Sequence, residues 1–214
     1  MVRQGGTIKN CTIDSNGVIY VSSAAAESCI ISSGHLQLVG GSASGISQYS
    51  GHFNLYKSDC QVEDSYISGG NLTVLSGGGK ISNTQFTAPA QLRCYGGGVQ
   101  LASCTFNQSG TYVGIKAGDT GVISSCTVIS GAIAYISSGS ILDCTLIDAG
   151  LMVVRSAGYV SNLTVSHGNF VISGGVFAES GYVQGSGTGL GYYSLQSGAS
   201  VNSITAGPQG KIYI

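Results

Sequence analysis

The chain has 214 residues, of which only 8% carry a charge, and a formal net charge of −1. So weak a charge sets up no field that would attract nucleic acid or an anionic membrane. No apolar run approaches the ~18 residues that a membrane-spanning helix needs, so neither nucleic-acid binding nor membrane insertion by this segment is expected.

The N-terminus, Met-Val-Arg-Gln-Gly-Gly, has no signal-peptide apolar core and enters a repeat at once. In that first unit, Gly6-Thr-Ile-Lys-Asn-Cys11-Thr-Ile13, a small residue precedes an aliphatic by two positions. The equivalent of Cys11 recurs at Cys29, Ser47, Ser65, Thr84, Cys104, Cys126, Cys144, Leu163, Ser180 and Ser203. The mean step is about nineteen residues, and such a period across a whole chain marks a solenoid whose units bury their apolar sides against their neighbours. Residues 1–214 therefore read as a single domain. The C-terminus, Gly210-Lys-Ile-Tyr-Ile214, stops inside a strand pattern, and the expectation is a fragment of a longer repetitive protein.

Each unit has two apolar tracts. The first ends two residues after the ladder position, at Ile13, Ile31, Tyr49, Ile67, Phe86, Phe106, Val128, Leu146, Val165 and Tyr182, with Thr205 as the exception. Alternation sends these residues and the ladder inward, and Thr12, Thr105, Thr127, Thr145 and Thr164 outward. After a Ser/Gly turn comes the second tract. Its inward pairs are Ile19/Val21, Leu36/Leu38, Phe53/Leu55, Leu72/Val74, Leu92/Cys94, Ile133/Tyr135, Met152/Val154 and Phe170/Ile172. Glycine corners such as Gly40-Gly41 and Gly174-Gly175 follow, where positive φ is needed. A third short stretch, such as Lys80-Ile81-Ser82, leads to the next ladder residue. No 3.6-residue periodicity persists, so the predicted fold is all-β: a single-stranded parallel β-helix (β-solenoid) of about eleven coils of ~19 residues. Because no hexapeptide rhythm occurs, the right-handed form is expected.

Five of the seven cysteines, Cys11, Cys29, Cys104, Cys126 and Cys144, fall on the ladder. Stacked rungs are ~4.8 Å apart, beyond the Cβ separation a disulfide prefers. The ladder thus reads as reduced, small core residues, and no CxxC or Cys/His spacing suggests a metal centre.

A β-helix can also be a polysaccharide-cleaving enzyme, which needs carboxylates converging on one groove. The acids here, including Asp119, Asp148, Glu63 and Asp64, scatter over columns and rungs. Asp148 and His167 share a column, as do Lys9 and Glu27, and screened surface pairs account for both. His35 and His52 stack without an obvious third ligand. No catalytic, cofactor-binding or metal residue is assigned, no cofactor is expected, and the chain is read as a non-enzyme. The second tract instead offers a candidate interaction strip, Val113, Ala132, Ala134, Leu151, Val153 and Val171, read as outward and apolar. Insertions at 114–120 and 185–191 read as loops.

The units at 121–138 (Gly-Val-Ile-Ser-Ser-Cys-Thr-Val-Ile-Ser-Gly-Ala-Ile-Ala-Tyr-Ile-Ser-Ser) and 158–175 resemble the AIDA-type strand–loop–strand repeats of bacterial autotransporter passenger domains. The resemblance implies a right-handed β-helix at the cell surface or outside the cell. It also implies adhesion to a host or bacterial surface ligand, or self-association, and sugars on Ser/Thr side chains. The alternative is a carbohydrate-binding or polysaccharide-cleaving β-helix, of lyase, hydrolase or phage-tailspike type.

Overall fold

Three strand-forming stretches per unit stack on the matching stretches of the next unit, always in parallel register. The computed structural model describes residues 1–75, 78–95, 97–115, 121–156, 158–185 and 190–214, and among these there are strands and turns but no helix. The first sheet contains the short strands Thr12–Ile13, Ile30–Ile31, Ser47–Gln48, Tyr66–Ile67, Gln85–Thr87, Thr105–Asn107, Thr127–Ile129, Thr145–Ile147 and Leu163–Ser166. The second runs from the start of Val18–Glu27 through His52–Leu55, Gln91–Cys94, Tyr112–Ile115 and Leu151–Arg155 to Gly210–Tyr213. The third contains Thr7–Lys9, Cys60–Glu63, Val99–Ala102, Ser140–Leu142 and Tyr159–Ser161. The molecule is a three-sided β-solenoid of about ten turns.

The interior is built from columns of like side chains. Phe86 stacks on Phe106 with ring centroids 5.0 Å apart, and Ile67, Val128, Leu146 and Val165 continue that column fully buried. The third sheet contributes Ala43, Val62, Ile81, Leu101, Ile123, Ile141 and Val160, all of them inaccessible or nearly so. Cys126, Cys144 and Leu163 follow each other on successive rungs, as the register Thr127↔Thr145↔Thr164 requires, and each is at most 1% exposed.

What the sequence reading took for a small-residue ladder is more specific. The residue just before it adopts positive φ rung after rung: Asn10 (53°), Ser28 (52°), Gly45 (61°), Asp64 (50°), Asn83 (48°), Ser103 (55°), Ser125 (52°), Asp143 (53°) and Asn162 (52°). Asn, Asp and Gly tolerate this left-handed conformation best, and it turns the chain from the third sheet into the first. Its N–H donates to the next rung, as from Asn83 to the Ala102 carbonyl (3.1 Å) and from Asp143 to the Ser161 carbonyl (3.0 Å). The ladder side chain then reaches back over the corner to the carbonyl two residues earlier. Ser65 Oγ donates to Glu63 O (2.8 Å), Thr84 Oγ1 to Ser82 O (2.9 Å), Cys126 Sγ to Ser124 O (3.2 Å) and Cys144 Sγ to Leu142 O (3.3 Å). Ser, Thr and Cys alternate there because each is both small and a donor. None of the seven cysteines, all of them described, is in a disulfide. Hydrogen bonds with Cys104 and Cys144, together with burial, hold the Cys126 thiol well above the ordinary thiol range.

The register corrects three ladder assignments. Ile30 pairs with Ser47, so Ile46 and not Ser47 follows Cys29 inside, and Gln48 takes the inward place assigned to Tyr49. The positive-φ corner falls at Gly45, one residue earlier than the period implies. Leu163 pairs with Gly181 and Gly181 with Ile204, which displaces Ser180 and Ser203 and puts Val183, not Tyr182, in the core. Gly181 is closely packed: a Cβ there would stand 3.1 Å from the ring of Tyr193, which fills the interior edge-on to Phe170 and would have to give way by a few tenths of an ångström. In the second sheet, Val113 pairs with Ala134 and Ala134 with Met152. Ala134 and Ile136 therefore face inward, in place of Ile133 and Tyr135, since a one-residue slip exchanges faces.

Thr84→Val, which keeps shape and removes the donor, is expected to cost about 1–2 kcal/mol by leaving the corner carbonyl without its side-chain partner. Thr84→Cys should cost less than that. Urea denaturation of the two variants checks the order, and equal stability would contradict a donor role for the ladder.

Candidate functional site

The outward face of the second sheet changes character along the rod. Its first rung presents Val18 and Tyr20, 44% and 42% exposed; the next rungs present the polar His35, Gln37, His52, Asn54, Asn71 and Thr73, and the middle and later ones the half-buried Tyr112, Ile133, Tyr135, Leu151 and Val171, with Val153 nearly covered among them. Of the strip proposed from the sequence, Leu151 and Val171 lie half-buried on this face, and Val153, in the same register, is only 5% exposed. Val113, Ala132 and Ala134 do not: they are 0%, 0% and 1% exposed, within the core. The stretch Ala-Ile-Ala-Tyr-Ile is apolar on both faces, so alternation could not tell its sides apart. The apolar outer surface is consequently supplied by Tyr112, Ile133 and Tyr135 on the preceding rungs.

At the lower edge of that strip the wall is interrupted. Gly114 stands between Arg93 and Tyr135 in one outward column. Without a side chain at this rung the surface sinks into a hollow of about 400 Å³, lined by Gln91, Arg93, Tyr95, Tyr112, Tyr135 and Ser137 among others. Tyr112 leans over the glycine, so that a Cβ at Gly114 would be 2.7 Å from Tyr112 Cε1. The Tyr112 and Tyr135 rings are 5.9 Å apart and inclined by 40°. Arg93 is exposed, and its Nε and Nη2 both donate to Gln91 Oε1, at 3.0 and 2.5 Å. A smaller, hydroxyl-rich hollow of about 300 Å³ lies on the first sheet between Asn162, Thr164, Ser180, Tyr182, Ser203 and Thr205.

The remaining pairs noted in the sequence occur as neighbours. His35 and His52 stack with ring centroids 4.8 Å apart and planes 7° from parallel. His167 Nδ1 lies 3.6 Å from Asp148 Oδ1, and Lys9 Nζ 2.7 Å from Glu27 Oε2. The Tyr159 hydroxyl donates to Glu179, which raises the phenol above its usual range. Among the described residues no three His, Cys, Asp or Glu side chains gather as they would around a metal ion, and no helix is long and apolar enough to cross a membrane. Most of the insertion at 114–120, including Asp119, and most of that at 185–191 lie outside the described residues.

No family model matches the chain, and no curated protein matches it. Among solved structures, it is similar to the TibC-catalyzed hyper-glycosylated TibA55-350 fragment. The TM-score is 0.75 at 27% identity, over 94% of this chain and 72% of that one. That neighbour is an AIDA-type autotransporter adhesin passenger. The resemblance first carried by repeat motifs is thus carried by the stacking of whole coils as well.

Gly114→Ala is expected to push the Tyr112 ring off the glycine without unfolding the coil. The near-UV circular dichroism should change while the far-UV spectrum keeps its β signature; an unchanged near-UV band would contradict the placement of Tyr112.

Proposed function

We propose that this chain is a non-enzymatic module of a bacterial surface or secreted protein, which presents its repetitive outer faces for adhesion or self-association. The observation that carries the reading is the likeness of nearly the whole chain to an adhesin passenger fragment. The half-buried apolar strip of Ile133, Tyr135, Leu151 and Val171 supports it, because contiguous apolar residues on an outer wall mark a contact surface. Its partner is a second copy of the chain or a ligand on a host or bacterial surface, and the module acts at the cell surface or outside the cell.

The neighbour is hyper-glycosylated by TibC, and this chain has the hydroxyls to carry sugars in the same way. Thr105, Thr127, Thr145 and Thr164 form an outward column on the first sheet. The buried hydroxyls of Thr84 and Thr111, each 1% exposed, are unsuited as acceptors.

Two measurements test these readings. Leu151→Lys combined with Val171→Lys should abolish any dimer or higher species that the parent chain forms in sedimentation velocity, and should lower adhesion in a cell-binding assay. If both assays are unaffected, the strip is not the contact surface. Co-expression with TibC should add sugar-mass increments, with peptide mapping placing them on outward hydroxyls such as Thr127 and Thr145. A chain of unmodified mass would remove the glycan reading.

A further inference from the structure

We propose that the hollow over Gly114 binds an acidic saccharide, a sugar ring bearing a carboxylate. The inference deepens the surface reading above and rests on it, naming a ligand class for one part of the contact face. The volume of about 400 Å³ lies in the lower part of the range for small-molecule sites. Arg93 and Tyr135 are two rungs apart with Gly114 between them, so their backbones are separated by roughly 9.6 Å along the rod. The Tyr112 ring leans into that gap, its Cε1 2.7 Å from where a Gly114 Cβ would stand, and so forms part of the lining of the hollow.

The walls supply the two kinds of contact such a ring needs. Tyr112 and Tyr135 both line the hollow; an aromatic face is electron-rich and takes the C–H face of a sugar, and a phenol hydroxyl can donate to or accept from sugar hydroxyls. Arg93 supplies the charge. Two of its five donors are taken by Gln91 Oε1, and among the described residues no ion pair joins it to a carboxylate. A planar guanidinium with donors to spare matches a carboxylate in two-point fashion. Gln91 holds the fork in place beforehand and so reduces the ordering cost of binding. The same hollow facing a neutral sugar would leave that charge unused, which is what selects the acidic one.

The test uses the full chain, a trigalacturonate probe and a neutral galactotriose probe, followed by calorimetry or by NMR titration of the Tyr resonances. Trigalacturonate should bind saturably and galactotriose at least about tenfold more weakly. Arg93→Gln should remove most of that preference, Tyr135→Ala should weaken both sugars, and Arg155→Gln, on the same sheet but away from the hollow, should change nothing. Melting curves for each variant establish that the fold is intact. Equal affinity for the two probes, undiminished acidic binding in Arg93→Gln, or no saturable binding to either would each overturn the proposal. The adhesion and sedimentation assays with the parent chain separate the two ideas. Adhesion or self-association without sugar binding sinks the hollow and spares the surface reading, whereas sugar binding without either does the reverse.

Discussion

The architecture depends on one corner. Between the third and first sheets a single residue in the left-handed conformation turns the chain, and a short donor side chain behind it ties down the carbonyl that the turn would otherwise leave without a second partner. Repeated along most of the rod, this arrangement sets where each coil begins and so which residues become inward. Aliphatic and aromatic columns stabilise the interior in bulk, but a column of like side chains does not by itself choose a register. The corner does. Its usual sequence mark is Asn, Asp or Ser followed by Cys, Ser or Thr, a pair of modest residues that hydrophobic patterning overlooks.

Much of the fold was legible without coordinates because the repeat is long and its second-sheet pairs, such as Leu36/Leu38 and Leu72/Val74, alternate cleanly with polar residues. The Thr105–Thr127–Thr145–Thr164 column and the His35–His52 stack follow from the same spacing. Legibility ended where both faces were apolar, as at Ala132–Ile136, and where a rung lost its marker. Ile46 carries no donor and Gly181 no side chain, and in both places the neighbouring serine was a more plausible occupant by type than by geometry. Reading the positive-φ residue first would have found Gly45 and with it the true rung. Nothing in the sequence alone shows that the Tyr193 ring lies close against Gly181 across the interior.

The candidate surface was half legible for the same reason. An apolar change on the second sheet was apparent, but its members were assigned to the wrong side on two strands. The hollow escaped notice because its defining element is a missing side chain. Gly114 lies in an apolar stretch next to a longer coil and looks like a turn glycine. Only the register, which sets it between Arg93 and Tyr135, turns that absence into a concave site.

Gln48 gives the rod something its regularity withholds. It lies fully enclosed in a column otherwise filled by Ile, Phe, Val and Leu, and its amide nitrogen donates to Gly51 O (3.1 Å) and Asn71 O (3.2 Å), so it clasps its own coil to the one above. A stack of near-identical layers is exposed to mistakes of a whole layer, since any coil could settle on a wrong neighbour at little loss of apolar burial. The Gln48 rung is a polar break in that column, for its Oε1 is enclosed without a partner and so carries a desolvation cost that the apolar rungs do not. The irregular rung thereby differs in kind from its neighbours, which a uniform stack of layers would not allow.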